Sequence, residues 1–213
     1  GGGYYFFLQV NEKKRRFPTP MPGPYNVWNI AAGILLANEL GILPEVVEKA
    51  LATFRGVERR LTRLGEKGNT VFLSDFAHHP TAIAGVLGGL PDAYPGRRII
   101  AVFEPRSWSL RRNFFQDRLP QALARADEIV IKDVYEKEKI PEAERLSVDA
   151  LRSDLEAQGK KVHVFPGYEG IKEFVGALDF DCGQAVILLS NGDVRDFSEW
   201  VGALCSVRPP LTK

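Results

Sequence analysis

The run SDFAHHPTAI, residues 74–83, sets Asp75 ahead of the adjacent pair His78 and His79, with Pro80 next. Carboxylate and imidazole can hold zinc, move protons or contact a nucleotide. Adjacent histidines diverge on most backbones and no fourth ligand is evident, so no metal ligands are assigned. A plainer reading stays open, in which Asp75 or His79 caps a helix that Pro80 starts. Three more polar clusters follow apolar runs: Glu104–Arg112, Lys132–Tyr135 and Ser190–Asp193. In EPRSWSLRR, Arg106, Arg111 and Arg112 offer guanidinium forks suited to carboxylate or phosphate. Ser107 and Ser109 add hydroxyls, and Trp108 is a stacking face or a core edge. In SNGD, Gly192 permits a tight turn whose amides face an anion, or a turn and nothing more. Arg59 and Arg60 either reach a ligand across a crease between domains or solvate a linker.

These clusters matter because of the elements that carry them. TVFLSDF, RRIIAVFEP, DEIVIKDV, KVHVFP and QAVILLSNG read as strands, several with the unbroken apolar run of a buried parallel sheet. Helical patterns alternate with them: Pro80–Leu90, NFFQDRLPQALARA with Pro120 as a turn or kink, SVDALRSDLEAQG, YEGIKEFVGAL and DFSEWVGAL. This alternation predicts an α/β domain over 61–213, three-layered and Rossmann-like, with a mostly parallel sheet and helices on both faces. Ligands of such sheets sit beyond the C-terminal strand ends, where all four clusters fall.

Before Arg55 the pattern differs. Tyr4–Val10 reads as a strand, NEKKRRF as a polar basic stretch, and PTPMPGP as a break in regular structure. NVWNIAAGILLANELG reads as a helix closed by Gly41, and Pro44 opens a second helix, PEVVEKALATF. Residues 1–54 are too short and irregular for a complete core and read as the tail of a preceding domain, with a linker over 55–60. The opening GGGYYFFLQV has no basic leader segment and reads as the start of a fragment.

The 213 residues carry a formal net charge of +1, with 45% apolar and 26% charged residues. That balance gives no support for nucleic-acid or membrane binding, Lys13–Arg16 being the one basic run. No apolar run spans a membrane. Two cysteines, Cys182 and Cys205, form no disulfide framework and suit a reducing cytoplasm. No GxxxxGK[ST] phosphate loop, GxGxxG or GxSxG motif occurs. Oligomeric state is not fixed by the sequence.

Five stretches in order, GPYNVWNIAAGILLANELGI, FRGVERRL, SDFAHHPTAI, AVFEPRSWSLRR and LLSNGD, resemble the bacterial Mur ligases over nearly the whole chain. The resemblance implies an ATP- and Mg2+-dependent amide ligase of peptidoglycan biosynthesis and recycling, acting through an acyl phosphate. The EPRS form implies joining of UDP-N-acetylmuramate to the tripeptide L-alanyl-γ-D-glutamyl-meso-diaminopimelate. Addition of L-alanine to the same sugar nucleotide, and a non-catalytic binding domain, are the alternatives. The resemblance makes residues 1–54 the end of the central ATP-binding domain, 55–60 a hinge, and 61–213 the amine-binding domain. The phosphate loop and its catalytic residues then belong to sequence outside this chain, and the fragment alone is expected to be inactive. By the same resemblance Asn26, Asn29, Arg59, Arg60, Asp75 and His78 face the nucleotide, and His78 and His79 position groups near the reaction. Arg106, Ser107, Ser190, Asn191, Gly192 and Asp193 are implied to face the incoming amine. Tyr25 replaces a usual histidine, SLRR a usual TMK-like run, and Asp193 a usual glycine. The Asp193 carboxylate is expected to meet the ammonium of diaminopimelate.

Overall fold

The structure, a computed structural model, describes residues 4–206 apart from 11, 20 and 22. The expected start-of-fragment glycines, and Pro20 and Pro22 of the proline-rich break, lie outside the described residues. The chain divides into two compact units between Glu58 and Arg59.

The first unit pairs β1 (Tyr4–Val10) with β2 (Lys13–Thr19) as an antiparallel ribbon. The basic run KKRR is therefore part of a strand rather than an irregular stretch. Alternation explains it: Phe17 points inward and is fully buried, while Lys14 and Arg16 lie over the exposed rings of Phe7 and Tyr5. Helix α1 (Pro24–Glu39) begins with proline at its first turn, and Gly41 follows its end at φ 74°. Ile30 and Ile34, four apart, pack on Val10 and Phe17 to form this unit's small core. Helix α2 (Pro44–Thr53) adds Val47 and Leu51 to the edge of that core.

The second unit holds a six-stranded sheet in the order β3-β4-β8-β5-β6-β7. Strand β3 (Thr62–Lys67) runs antiparallel to β4 (Thr70–Asp75). Strands β4, β8 (Gln184–Leu189), β5 (Arg98–Phe103), β6 (Glu128–Lys132) and β7 (Lys161–Phe165) are all parallel. The expected α/β architecture is present, with β3 added at its edge. Phe72, Ile100, Val102, Val130, Val186 and Leu188 pack on one face against α6 (Tyr168–Gly176) and α7 (Arg195–Ser206). Their alternates, among them Leu73, Ala101, Ile131 and Ile187, are equally buried on the other face. There α3 (Pro80–Ala93), α4 (Leu119–Leu123) and α5 (Val148–Ala157) form the covering layer.

One helix expectation is corrected. NFFQDRLPQALARA folds as a 3-10 turn over Asn113–Phe115 and then the five-residue α4. Pro120 is confined to the first turn of α4, where its missing N–H costs no helical bond. The residues before it fold as separate turns.

Candidate functional site

At the C-terminal strand ends two carboxylates, Asp75 and Glu104, are each 1% exposed, and Glu104 lies one residue past β5. Burying a carboxylate is unfavourable unless it is paired, and Glu104 gathers partners from three other elements. The hydroxyl of Tyr168, first residue of α6, donates to its Oε2 at 2.8 Å, and that of Ser190, just past β8, donates at 2.5 Å. Lys132, last residue of β6, sits 3.1 Å from Oε1, and Arg106 3.6 Å from the same oxygen. Burial pushes the Glu104 carboxyl up, but the two hydroxyls and the Lys132 ammonium outweigh it and hold it below the ordinary range. Burial, then the Glu104 charge, pushes the Tyr168 phenol strongly upward, so Tyr168 stays a hydrogen-bond donor.

The same network sets the SNG turn. The Ser190 Oγ accepts from the Gly192 N–H at 2.9 Å while donating to Glu104. A Cβ on Gly192 would collide with the Arg106 side chain, so the glycine is what lets Arg106 lie there. The Arg106 guanidinium covers the Tyr135 ring at 4.0 Å. The Asn191 Oδ1 is buried without a hydrogen-bond partner. Two cations, Arg106 and Lys132, stand against one carboxylate, so the cluster carries a surplus positive charge suited to an anionic group.

Arg59 ties the entry to this unit into the same edge. Its Nη2 donates to the Ser190 carbonyl at 2.5 Å and its guanidinium lies 4.8 Å over Phe76. Arg59 and Leu61 both take left-handed backbone, φ 58° and 53°, a conformation that branched and bulky residues avoid. Asp75 fixes it: Oδ2 accepts the Leu61 N–H and Oδ1 the Ala77 N–H, each at 2.8 Å. Burial raises the Asp75 carboxyl above its usual range despite those donors and the nearby Arg60 and Arg59. Both its oxygens are engaged in shaping the backbone.

His78 and His79 occupy the turn between β4 and α3. His79 caps α3, its Nδ1 accepting the Thr81 N–H at 3.2 Å, and its ring meets Phe115 edge-on. His78 Nδ1 lies 2.8 Å from the Phe76 carbonyl; a carbonyl only accepts, so Nδ1 carries the proton and Nε2 is the outward acceptor when the ring is neutral. Ser107 turns back to accept the Leu110 N–H at 3.2 Å. Asp193 is exposed and paired with Arg195, which holds its carboxyl down at about 2. Asn26 is buried in α1, and Asn29 is exposed on the same helix in the first unit.

The structure thus brings together Arg59, Arg106, Ser190 and Gly192, and adds Glu104, Lys132 and Tyr168. Sequence reasoning placed Glu104 and Lys132 only in strand-end clusters and passed over Tyr168. The available signal was FPGY, an aromatic hydroxyl directly after a strand. Among the described residues no group of three metal-ligating side chains occurs, and no phosphate loop is present in the chain.

Residues 59–192 match the family described as Mur ligase, glutamate ligase domain. The UDP-N-acetylmuramate–L-alanine ligase of Nitrobacter winogradskyi is 36% identical over 212 residues, covering 96% of this chain and 44% of that protein. The murein peptide ligase of Psychrobacter arcticus has a TM-score of 0.65 at 25% identity, over 94% of this chain and 41% of that one. The UDP-N-acetylmuramate–alanine ligase of Thermotoga maritima shares the fold at a TM-score of 0.72 and 22% identity, over 91% of this chain and 40% of its own. The chain spans about two fifths of the length of the curated relatives it matches.

Proposed function

Because this chain belongs to the Mur ligase family, we propose that it supplies the amine-binding end of a cytoplasmic ATP-dependent ligase joining UDP-N-acetylmuramate to L-alanyl-γ-D-glutamyl-meso-diaminopimelate. The observation that carries this reading is the Arg106–Lys132 pair held on buried Glu104 at the strand ends. A tripeptide brings several carboxylates to such a cluster, whereas L-alanine brings one. In this reading ATP makes the sugar-borne carboxylate electrophilic, and its nucleotide and magnesium are held chiefly by residues outside this chain. The chain's own residues bind and orient. Arg106 and Lys132 take a peptide carboxylate, which fixes the peptide's free amine for attack. Glu104, Tyr168 and Ser190 keep those cations and the SNG turn in place. Asn26 and Asn29 in the first unit, and Arg59, Arg60 and His78 in the second, are proposed to meet the nucleotide.

The names of relatives such as that of Nitrobacter winogradskyi favour a second reading, addition of L-alanine. The gene product that contains this chain is assayed for phosphate release with UDP-N-acetylmuramate, ATP and either amine. Turnover with tripeptide and not L-alanine is expected. Preference for L-alanine transfers the chain to the second reading, and turnover with neither leaves a binding domain.

A further inference from the structure

Arg59 and Leu61 hold left-handed backbone, φ 58° and 53°, which glycine enters freely and other residues avoid. In the same stretch Gly56 takes φ 90°, so glycine is used where the turn alone is needed. At 59 and 61 the chain keeps long side chains instead. Such backbone persists only where surrounding contacts over-determine it. The Arg59 N–H donates to the Thr62 hydroxyl at 2.7 Å, and its carbonyl accepts the Phe76 N–H at 2.8 Å. The Leu61 N–H ends on Asp75 Oδ2, also at 2.8 Å. Asp75 is 1% exposed and its Oδ1 takes the Ala77 N–H, so its carboxylate offers no open face to a ligand. What the strained turn secures is the Arg59 side chain, with Nη2 on the Ser190 carbonyl and the guanidinium over Phe76.

We propose that Asp75 is a positioning residue for Arg59: its carboxylate holds the left-handed 59–61 turn that lays the guanidinium on the SNG edge, and it acts on the nucleotide only through that guanidinium. The nucleotide part rests on the amine-ligase reading; the positioning part rests on the geometry of this unit. The family resemblance places Asp75 against the nucleotide directly, and the two roles make opposite predictions. A glycine at 61 needs no carboxylate to stay left-handed. Leu61→Gly therefore compensates for the loss of Asp75 when Asp75 acts on the backbone, and does not when Asp75 touches the ligand.

The test reads the Arg59 Nε–H resonance by NMR in the 213-residue chain and the KM for ATP in the gene product that contains it. Asp75→Ala is expected to move the Arg59 signal and to raise the KM about tenfold. Leu61→Val, which sets a branched side chain at a positive φ and leaves the carboxylate in place, is expected to do the same. Adding Leu61→Gly to Asp75→Ala returns the signal and brings the KM to within about threefold of the parent. In an Arg59→Ala background, Asp75→Ala adds less than about threefold. Should Asp75→Ala fail to fold, Leu61→Val decides. An Arg59 signal unmoved in Asp75→Ala, a KM that Leu61→Gly does not recover, or losses that multiply with Arg59→Ala overturns the proposal. If the gene product turns over with neither amine, the ligase reading falls, and the Arg59 signal alone decides the positioning role.

Discussion

Two glutamates, Glu104 and Glu128, stand at opposite ends of the same sheet, each 1% exposed and each ringed by cations. Glu128 opens β6 and is met by Arg98 at 2.7 Å, Lys161 at 3.2 Å and His163 at 2.7 Å. Burial pushes its carboxyl up, and those three partners more than reverse it. The difference lies in the partners. Arg98 and Lys161 are 45% and 65% exposed and start neighbouring strands, so water can take them back. Lys132 is 13% exposed, and two further partners of Glu104 are hydroxyls on α6 and on the SNG turn. Glu128 closes the N-terminal edge of the sheet, whereas Glu104 ties together four segments that meet where ligands bind. A buried charge cluster alone does not mark a site; the mobility of its partners and the end of the sheet it occupies do.

The largest expected effect comes from breaking the tighter cluster. Glu104→Ala strands Lys132 beside Arg106 and is expected to cost about 3–5 kcal/mol of unfolding free energy in urea. Glu128→Ala is expected to cost about 1 kcal/mol, because its partners resolvate, and to leave tripeptide binding intact. Equal losses would erase the distinction. Gly192→Ala comes next: its methyl group displaces Arg106, weakening tripeptide binding about tenfold while the urea midpoint moves little. A large midpoint shift without a binding change would make Gly192 a folding residue only.

Acid treats the two glutamates alike. Both carboxyls are held below their usual range in the fold. Their stabilisation is therefore complete above the unfolded value of about 4.3 and fades as pH falls through the lowered folded values. Glu104→Gln and Glu128→Gln should each flatten the acid side of the stability curve; a variant as acid-steep as the parent contradicts the pairing at that residue. The smallest effect is expected at Asp193, whose carboxylate is occupied by Arg195. Asp193→Gly should alter tripeptide affinity by less than about threefold, and a tenfold loss would restore a contact to the diaminopimelate ammonium.

The long apolar runs made β4, β5, β6 and β8 legible in the sequence, because a strand buried on both faces must be apolar throughout. The Ser147 start of α5 was equally readable, and its hydroxyl does cap the helix at 3.1 Å. Strand β3 was missed because TRLGEK is half polar and lies at the sheet edge. The Gly68–Asn69 pair between Lys67 and Thr70, a two-residue hairpin turn, was the overlooked sign. The site was legible only in part. Arg106 and the SNG turn announce themselves by residue type. Glu104 gains its role from Tyr168 and Ser190, 64 and 86 residues away in the chain, a pairing that no local pattern encodes. Asp75 read as either a ligand contact or a cap; that its two oxygens accept the Leu61 and Ala77 N–H groups is something only the fold reveals.

The most direct test of the amine-site assignment is saturation-transfer NMR on this chain with the diaminopimelate tripeptide and L-alanine at equal concentration. Transfer to the tripeptide, none to L-alanine, and loss of the tripeptide signal in a folded Arg106→Ala variant is the result the account predicts. Equal transfer to L-alanine, or tripeptide transfer that survives Arg106→Ala unchanged, would contradict it.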